Sequence, residues 1–393
     1  MRASSALALL LLVGCSEGPL IQEDSSLILN SPVSMVLIPG TSLAVVANAN
    51  VTLDQKNGSL VAVDLLTQKT LPETRVESRS IAGFMTADSV SSRIYVPDRG
   101  NDALLVYDYA VPGINGTAIS LTPVAVPTPA ETYVANGIET DKAPMAVRLA
   151  AGTTPGNLLL VTNNTSGSVS IIDPLSLLPI DFDSDDGELK GLPLISSVNF
   201  RNKNQKPGRG ANRLVPSLDS RLLFVTSTLT NNIYVLDTRD QKVEAMMDLS
   251  GIVRSAGTRA MVIAADDLAY IVHRGAQAVI VLDVSGIQDN GIDMELVDAK
   301  LVDIIPTGRD PEGIALSSTG NTLFVSNQTD NSVLMIDRAT RKPIREIFLS
   351  EVSPGDLVPD PDRKVIYVLN FISNSISILD DTTGDLLGTI AGQ

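Results

Sequence analysis

Between Arg201 and Arg213, five cationic side chains (Arg201, Lys203, Lys206, Arg209 and Arg213) fall within thirteen residues of a chain whose formal net charge is −16. Guanidinium and ammonium groups at that density suit carboxylate, phosphate or sulfate groups on a partner. Pro207, Gly208 and Gly210 keep the stretch from forming a helix, so it reads as a loop. A solvated loop with no ligand is the alternative. Upstream, Asp181, Asp183 and Asp185 alternate ahead of Gly187. Short oxygen ligands at a spacing of two can converge on one hard cation, so these three are the candidate metal ligands, and calcium is the cofactor they suggest. Gly187 falls one place late for an EF-hand register, which leaves a solvated acidic loop as the competing reading.

What is missing is as informative. A single histidine (His273) removes most routes to zinc, haem or a Ser-His-Asp triad, and a single cysteine (Cys15) leaves no cysteine-based metal site and no C-x-x-C-H haem motif. No tryptophan is available as a stacking platform. An excess of 45 acidic over 29 basic residues argues against nucleic acid as a partner.

The elements that must position these groups come from an internal repeat. A short apolar strand, a polar turn and a second strand ending in Asp recur, most clearly in LLVTNNTSGSVSIID (159–173), LFVSNQTDNSVLMID (323–337) and IYVLNFISNSISILD (366–380). The closing aspartates are Asp64, Asp108, Asp173, Asp237, Asp283, Asp337 and Asp380. The turn-opening residues are Asn48, Asp98, Asn163, Ser227, His273, Asn327 and Asn370, and in the last six copies each precedes its aspartate by ten residues. Between copies there is room for an inner strand, such as Gly313–Leu316 or Met145–Val147, and an outer one, such as Ile344–Phe348 or Leu301–Ile305. The fold class expected is all-β: a seven-bladed β-propeller of four-stranded antiparallel blades, one domain over residues 30–393. Leu386–Ile390 is expected as the outer strand of the last blade, with the Leu27–Asn30 stretch competing for that edge.

The repeat resembles the YVTN-repeat β-propeller family, whose unit reads roughly P-x-x, apolar strand, turn, YVxN, then VSVID; Asp310-Pro311-Glu312-Gly313-Ile314-Ala315-Leu316 through Asp337 is a near-complete copy. That resemblance implies the fold and little about function. In such a propeller the loops from outer to next inner strand share a face with the turns inside each hairpin. The insertion after Asp173 would place its basic half on that face, just before an inner strand. Arg309 and Glu312 are expected near the channel mouth, with Arg259, Asp356, His273, Asn327 and Asn370 on the same face. For the Asn series and His273 a turn-capping role is the stronger expectation.

At the N-terminus, Arg2 and the apolar run Ala6–Val13 have signal-peptide proportions, and Leu12-Val13-Gly14-Cys15 resembles the bacterial lipobox. The expectation is a lipoprotein signal peptide over 1–14, an acylated Cys15 with a tether over 15–29, and outer-membrane attachment in the bacterial envelope. The function expected is envelope-anchored binding of a protein, peptide or glycan through the channel face and long loops. A calcium-dependent, lactonase-like propeller enzyme or a periplasmic redox accessory is the alternative, and a non-enzyme is favoured. Cys15→Ala is expected to move the protein from the detergent phase to the soluble envelope fraction. Continued fractionation with membranes would remove Cys15 as the anchor.

Overall fold

The computed structural model describes residues 28–49, 58–78, 81–112, 118–126, 137–151, 157–180, 192–193, 209–239, 241–287, 295–297 and 300–392. They form seven antiparallel sheets arranged as the blades of a closed ring. Blade six shows the pattern without interruption: inner strand Pro311–Leu316, second strand Thr322–Asn327, third strand Ser332–Asp337 and outer strand Lys342–Phe348, paired in that order. The other inner strands are Pro32–Leu37, Thr86–Asp88, Pro144–Ala151, Ala211–Pro216, Thr258–Ile263 and Pro354–Asp360.

Period-two alternation sends neighbouring residues of each second strand into opposite interfaces. In blade two, Ile94 and Val96 pack against blade one, whereas Tyr95 packs against blade three. Phe224, Tyr270, Phe324 and Tyr367 occupy the same register and likewise enter the interface with the following blade. All of these rings are at most 1% exposed. The core is thus one apolar cluster per blade interface, which is why runs such as LFV and IYV are apolar on both faces.

The repeated aspartates close the third strand by capping the turn that follows. Asp173 accepts from the Leu175 N–H and the Ser176 hydroxyl, Asp337 from Thr340, and Asp380 from the N–H groups of Thr382 and Thr383. Those bonds hold all three carboxyls below the usual range: Ser176 does so for Asp173, Thr340 for Asp337 and the Thr383 N–H for Asp380.

The insertions sit differently from expectation. In blade two the outer strand is split into Ser120–Pro123 and Gly137–Glu139, both pairing with Ala103–Ala110. In blade three it is split into Leu178–Ile180 and Leu192–Pro193, both pairing with Ser168–Asp173. Extra chain therefore enters within the fourth strand, whose far edge faces solvent and tolerates interruption, as well as before the next blade. A further insertion lends Glu295–Val297 in parallel to Lys242–Asp248, covering the outer edge of blade four.

Leu386–Ala391 is the outer strand of blade seven, and Ile28–Asn30 does not take that place. Instead Leu29 is buried between blades seven and one, and the Ile28 N–H donates to the Gly392 carbonyl at 2.8 Å. The ring closes through that apolar interface, helped by Ser31 N–H to Asn374 Oδ1 at 2.7 Å and Arg363 to the Thr41 carbonyl at 2.7 Å. Ile390 is fully buried there, so Ile390→Ala is expected to cost about 2–4 kcal/mol in chemical denaturation. Deleting residues 385–393 should abolish the cooperative transition, whereas deleting 16–27 should leave the midpoint in place. The opposite pattern would refute this closure.

Candidate functional site

Each hairpin ends in a buried polar turn. The Asn163 amide meets the hydroxyls of Ser168 and Ser170, Asn327 meets Ser332, and Asn370 meets Ser375 and Ser377. His273 holds the equivalent position in blade five and is 0% exposed. Its Nδ1 accepts from the Ala276 N–H at 3.0 Å and its Nε2 lies 3.2 Å from Asn231 Oδ1, which assigns the proton to Nε2. Burial pushes its pKa down, so the ring stays neutral and serves the turn.

One residue earlier, at the x of YVxN, a hydroxyl links blades. Thr162 Oγ1 accepts from the Ala146 N–H and donates to the Asn212 carbonyl of blade four. Thr226 Oγ1 accepts from the Arg213 N–H and donates to the Arg259 carbonyl of blade five. Ser326 Oγ accepts from the Gly313 N–H and donates to the Gly355 carbonyl of blade seven. Every one of these bonds lies at a β-bulge, where two inner-strand residues oppose one on the second strand: between Pro144 and Ala146, Ala211 and Leu214, Thr258 and Met261, Pro311 and Ile314, and Pro354 and Leu357. Bulges re-aim side chains. Arg213, Arg259, Glu312 and Asp356 occupy the bulges of blades four to seven, and at the mouth they meet.

Arg213 Nη2 lies 2.8 Å from Asp356 Oδ1, joining blades four and seven across the channel, and the two side chains are only 16% and 15% exposed. Phe84 of blade two stacks on the same guanidinium, with Cζ 3.1 Å from the ring centroid. Arg274, which follows His273, bonds Asp310 Oδ1 through Nε at 3.1 Å and Gln328 Oε1 through Nη2 at 2.6 Å. Glu312 Oε2 stands 3.9 Å from Arg274 Nη1 and 3.4 Å from Arg259 Nε, yet the Arg259 Nε is buried without a hydrogen bond. The hydroxyl of Thr329 and the charge of Arg274 hold Asp310 below the usual carboxylate range. A cavity of about 180 Å³ opens among Phe84, Arg213, Arg274, Glu312, Asp356 and Phe371.

Arg213, Arg259 and Glu312 are thus brought together. Arg213 is not part of a loop: it lies on the inner strand Ala211–Pro216, because Ala211 and Leu214 are both drawn into the core between blades three and four. Arg209 is exposed beside it and only its carbonyl is engaged, by the Ser227 hydroxyl at 2.6 Å. Arg309 is 64% exposed and pairs with Asp330 of its own blade at 2.5 Å, so it stands outside the channel. Cys15, Asp181, Asp183, Asp185, Arg201, Lys203 and Lys206 lie outside the described residues. Among the described residues no cluster of three or more His, Cys, Asp or Glu could hold a metal ion. Sequence reasoning missed Arg274, Asp310, Gln328, Phe84 and Phe371 as site residues; the position after the turn opener, shared by Arg274, Gln328 and Phe371, was the signal that could have found three of them.

A family model described as "Lactonase, 7-bladed beta-propeller" matches residues 202–390. No curated protein matches the chain. Among solved structures, the chain is similar to hydrazine synthase of Kuenenia stuttgartiensis (15% identity, TM-score 0.64, covering 95% of this chain and 100% of that one). It is also similar to a protein from Lactobacillus plantarum (18% identity, TM-score 0.57, covering 81% and 84%). At these identities the likeness is one of fold.

The Arg213–Asp356 pair generates a direct test. Asp356→Ala leaves a largely buried guanidinium uncompensated and is expected to cost about 2–4 kcal/mol, less in an Arg213→Met background. A double-mutant cycle should return a coupling of about 1–3 kcal/mol; additive costs would show that the pair does not bridge the channel in solution.

Proposed function

We propose that this chain is a binding propeller of the bacterial cell envelope, held at the outer membrane through Cys15, whose channel mouth recognises a polar ligand such as the end of a glycan. The observation that carries this reading is the set of alternating guanidinium and carboxylate groups at one small opening: Arg213 with Asp356, and Arg259 and Arg274 with Glu312. With Asp310, which also pairs with Arg274, its three guanidinium groups face three carboxylates, so it suits a ligand that offers hydroxyl donors and carbonyl acceptors together rather than a dense anion. The Nε of Arg259, 3.4 Å from Glu312 but without a hydrogen bond, supplies a donor beside the opening, and Phe371 borders the opening with an apolar face. In this reading the cationic run from Arg201 to Arg209 leads into the inner strand of blade four and steers acidic sugars toward the mouth.

A second reading, lactone hydrolysis, is favoured by one observation: the family match spans Arg213, Arg259, Arg274, Glu312 and Asp356 alike. There Glu312 or Asp356 would take a proton from water while a guanidinium stabilises the oxyanion. Calorimetric titration with glucose and glucuronate, paired with a pH-stat assay on glucono-δ-lactone, separates the two. Binding of at least one sugar, weakened tenfold or more by Arg259→Gln and Glu312→Gln without ring opening, is the expected outcome. Ring opening above the spontaneous rate that vanishes in a folded Asp356→Asn or Glu312→Gln variant would replace binding with catalysis. Failure of both sugars to bind would retire the mouth as a sugar site.

A further inference from the structure

Below the Arg213–Asp356 pair the channel widens into a second cavity of about 560 Å³, lined by inner-strand residues of blades three to seven and by Ser217, Leu218 and Ser220 from the first turn of blade four. That turn lies at the other end of the inner strand from the mouth, so the cavity opens on the opposite face of the ring. Its volume falls within the roughly 300–1,000 Å³ usual for small-molecule sites.

The chemistry of its wall is uneven in a telling way. In the common register of the inner strands, the residues opposite Val45, Tyr95, Leu160, Phe224, Tyr270, Phe324 and Tyr367 are Val36, Thr86, Arg148, Val215, Val262, Ala315 and Val358. One position in that ring carries a charge. Arg148 shares the cavity with Val215, Val262, Leu316, Val358 and Pro359. Arg148 is exposed to the channel, where crowding by the wall lowers its pKa with no carboxylate opposing the effect, and none of the ion pairs among the described residues includes it. Arginine nevertheless stays protonated. A permanent cation therefore stands exposed on a lining it shares with Val215, Val262 and Val358, with no ion-pair partner among the described residues. Arg213, the other arginine on the lining, is already neutralised by Asp356. At the rim, Leu218 is 55% exposed, an apolar residue in a turn where water would favour a polar one.

We propose that this lower cavity is a binding site for an aliphatic carboxylate, with the carboxylate on Arg148 and the chain against Val215, Val262 and Val358. The guanidinium fork matches a carboxylate in geometry and charge, and a ligand seated in the cavity would cover the exposed guanidinium and exclude water from the pair. The alkyl chain would cover apolar surface that the ring otherwise leaves open to water. This site is separate from the mouth and does not depend on the reading given to it.

Decanoate, used below its micellar concentration, is the probe, with 1-decanol as its uncharged counterpart, both titrated by calorimetry into the full chain. The expected result is one decanoate per chain, bound at least tenfold more tightly than decanol. Arg148→Gln should weaken decanoate tenfold or more and leave decanol unchanged. Val262→Phe or Val215→Phe, taken as whichever variant melts like the parent protein, should fill the cavity and weaken both ligands. Glu312→Gln at the mouth should change neither. No decanoate binding, equal affinity for decanol, or binding indifferent to Arg148→Gln would each overturn the proposal.

Discussion

The hydroxyl at the third position of the YVxN segment is what the working parts of this molecule rest on. In Thr162, Thr226 and Ser326 one oxygen accepts from its own inner strand and donates to the inner strand of the following blade. A bulged backbone leaves an N–H and a carbonyl out of the ladder, and buried, unpaired groups of that kind cost about 1–3 kcal/mol each. The hydroxyl satisfies both at once. It thereby stabilises the bulge and fixes the spacing between neighbouring blades in the same contact. Asn212, Arg259 and Gly355, whose carbonyls receive these bonds, are bulge residues next to or at the charged positions of the mouth.

That arrangement explains how a narrow channel carries so many ionic groups. A lone guanidinium in such a place would be costly, and each at the mouth has a carboxylate from another blade: Arg213 with Asp356, Arg274 with Asp310, Arg259 with Glu312. Partial burial makes these pairs weak contributors to net stability. Their effect is on shape, because a pair that spans blades four and seven holds the bore at one width and divides it into an upper and a lower chamber. The upper chamber is polar and internally balanced. The lower one mixes aliphatic residues with Ser217 and Ser220 and carries Arg148, which has no ion-pair partner among the described residues. One ring of strands thus presents two chemically distinct ends.

The scaffold by itself does not fix a task, and the likeness of this chain to hydrazine synthase at 15% identity is one of fold alone. What distinguishes one propeller from another is the identity of a few residues at the bulges and just after the turn openers. In blades four to seven those positions hold Arg213, Arg259, Glu312, Asp356 and Arg274, whereas blade two contributes Phe84 to the upper cavity and blade three contributes Arg148 to the lower one.

By itself the sequence determined the number of blades, the hairpins and the capped turns. Each of these is set by residues close in the chain: alternation within five or six positions, an aspartate ten residues after a turn opener, an asparagine five residues before a serine. The structural role of Asn163, Asn327 and Asn370 was legible for the same reason, since their partners lie within the same hairpin. The site was legible only in part. Glu312 could be placed near the mouth because it follows a turn that leads into an inner strand, and Arg259 on the same face, yet Arg213 read as a loop cation and Arg309 read as a channel residue. A one-residue bulge decides which way a side chain points, and no local pattern announces it. Nor can spacing show that residues 143 apart, Arg213 and Asp356, would meet, since that contact exists only once the ring has closed. The splitting of outer strands by insertions and the placing of Arg148 in the same cavity as Val215, Val262 and Val358 were illegible for the same reason. Tertiary structure decided these because each depends on which blades face one another across a closed circle, a distance the chain itself does not record.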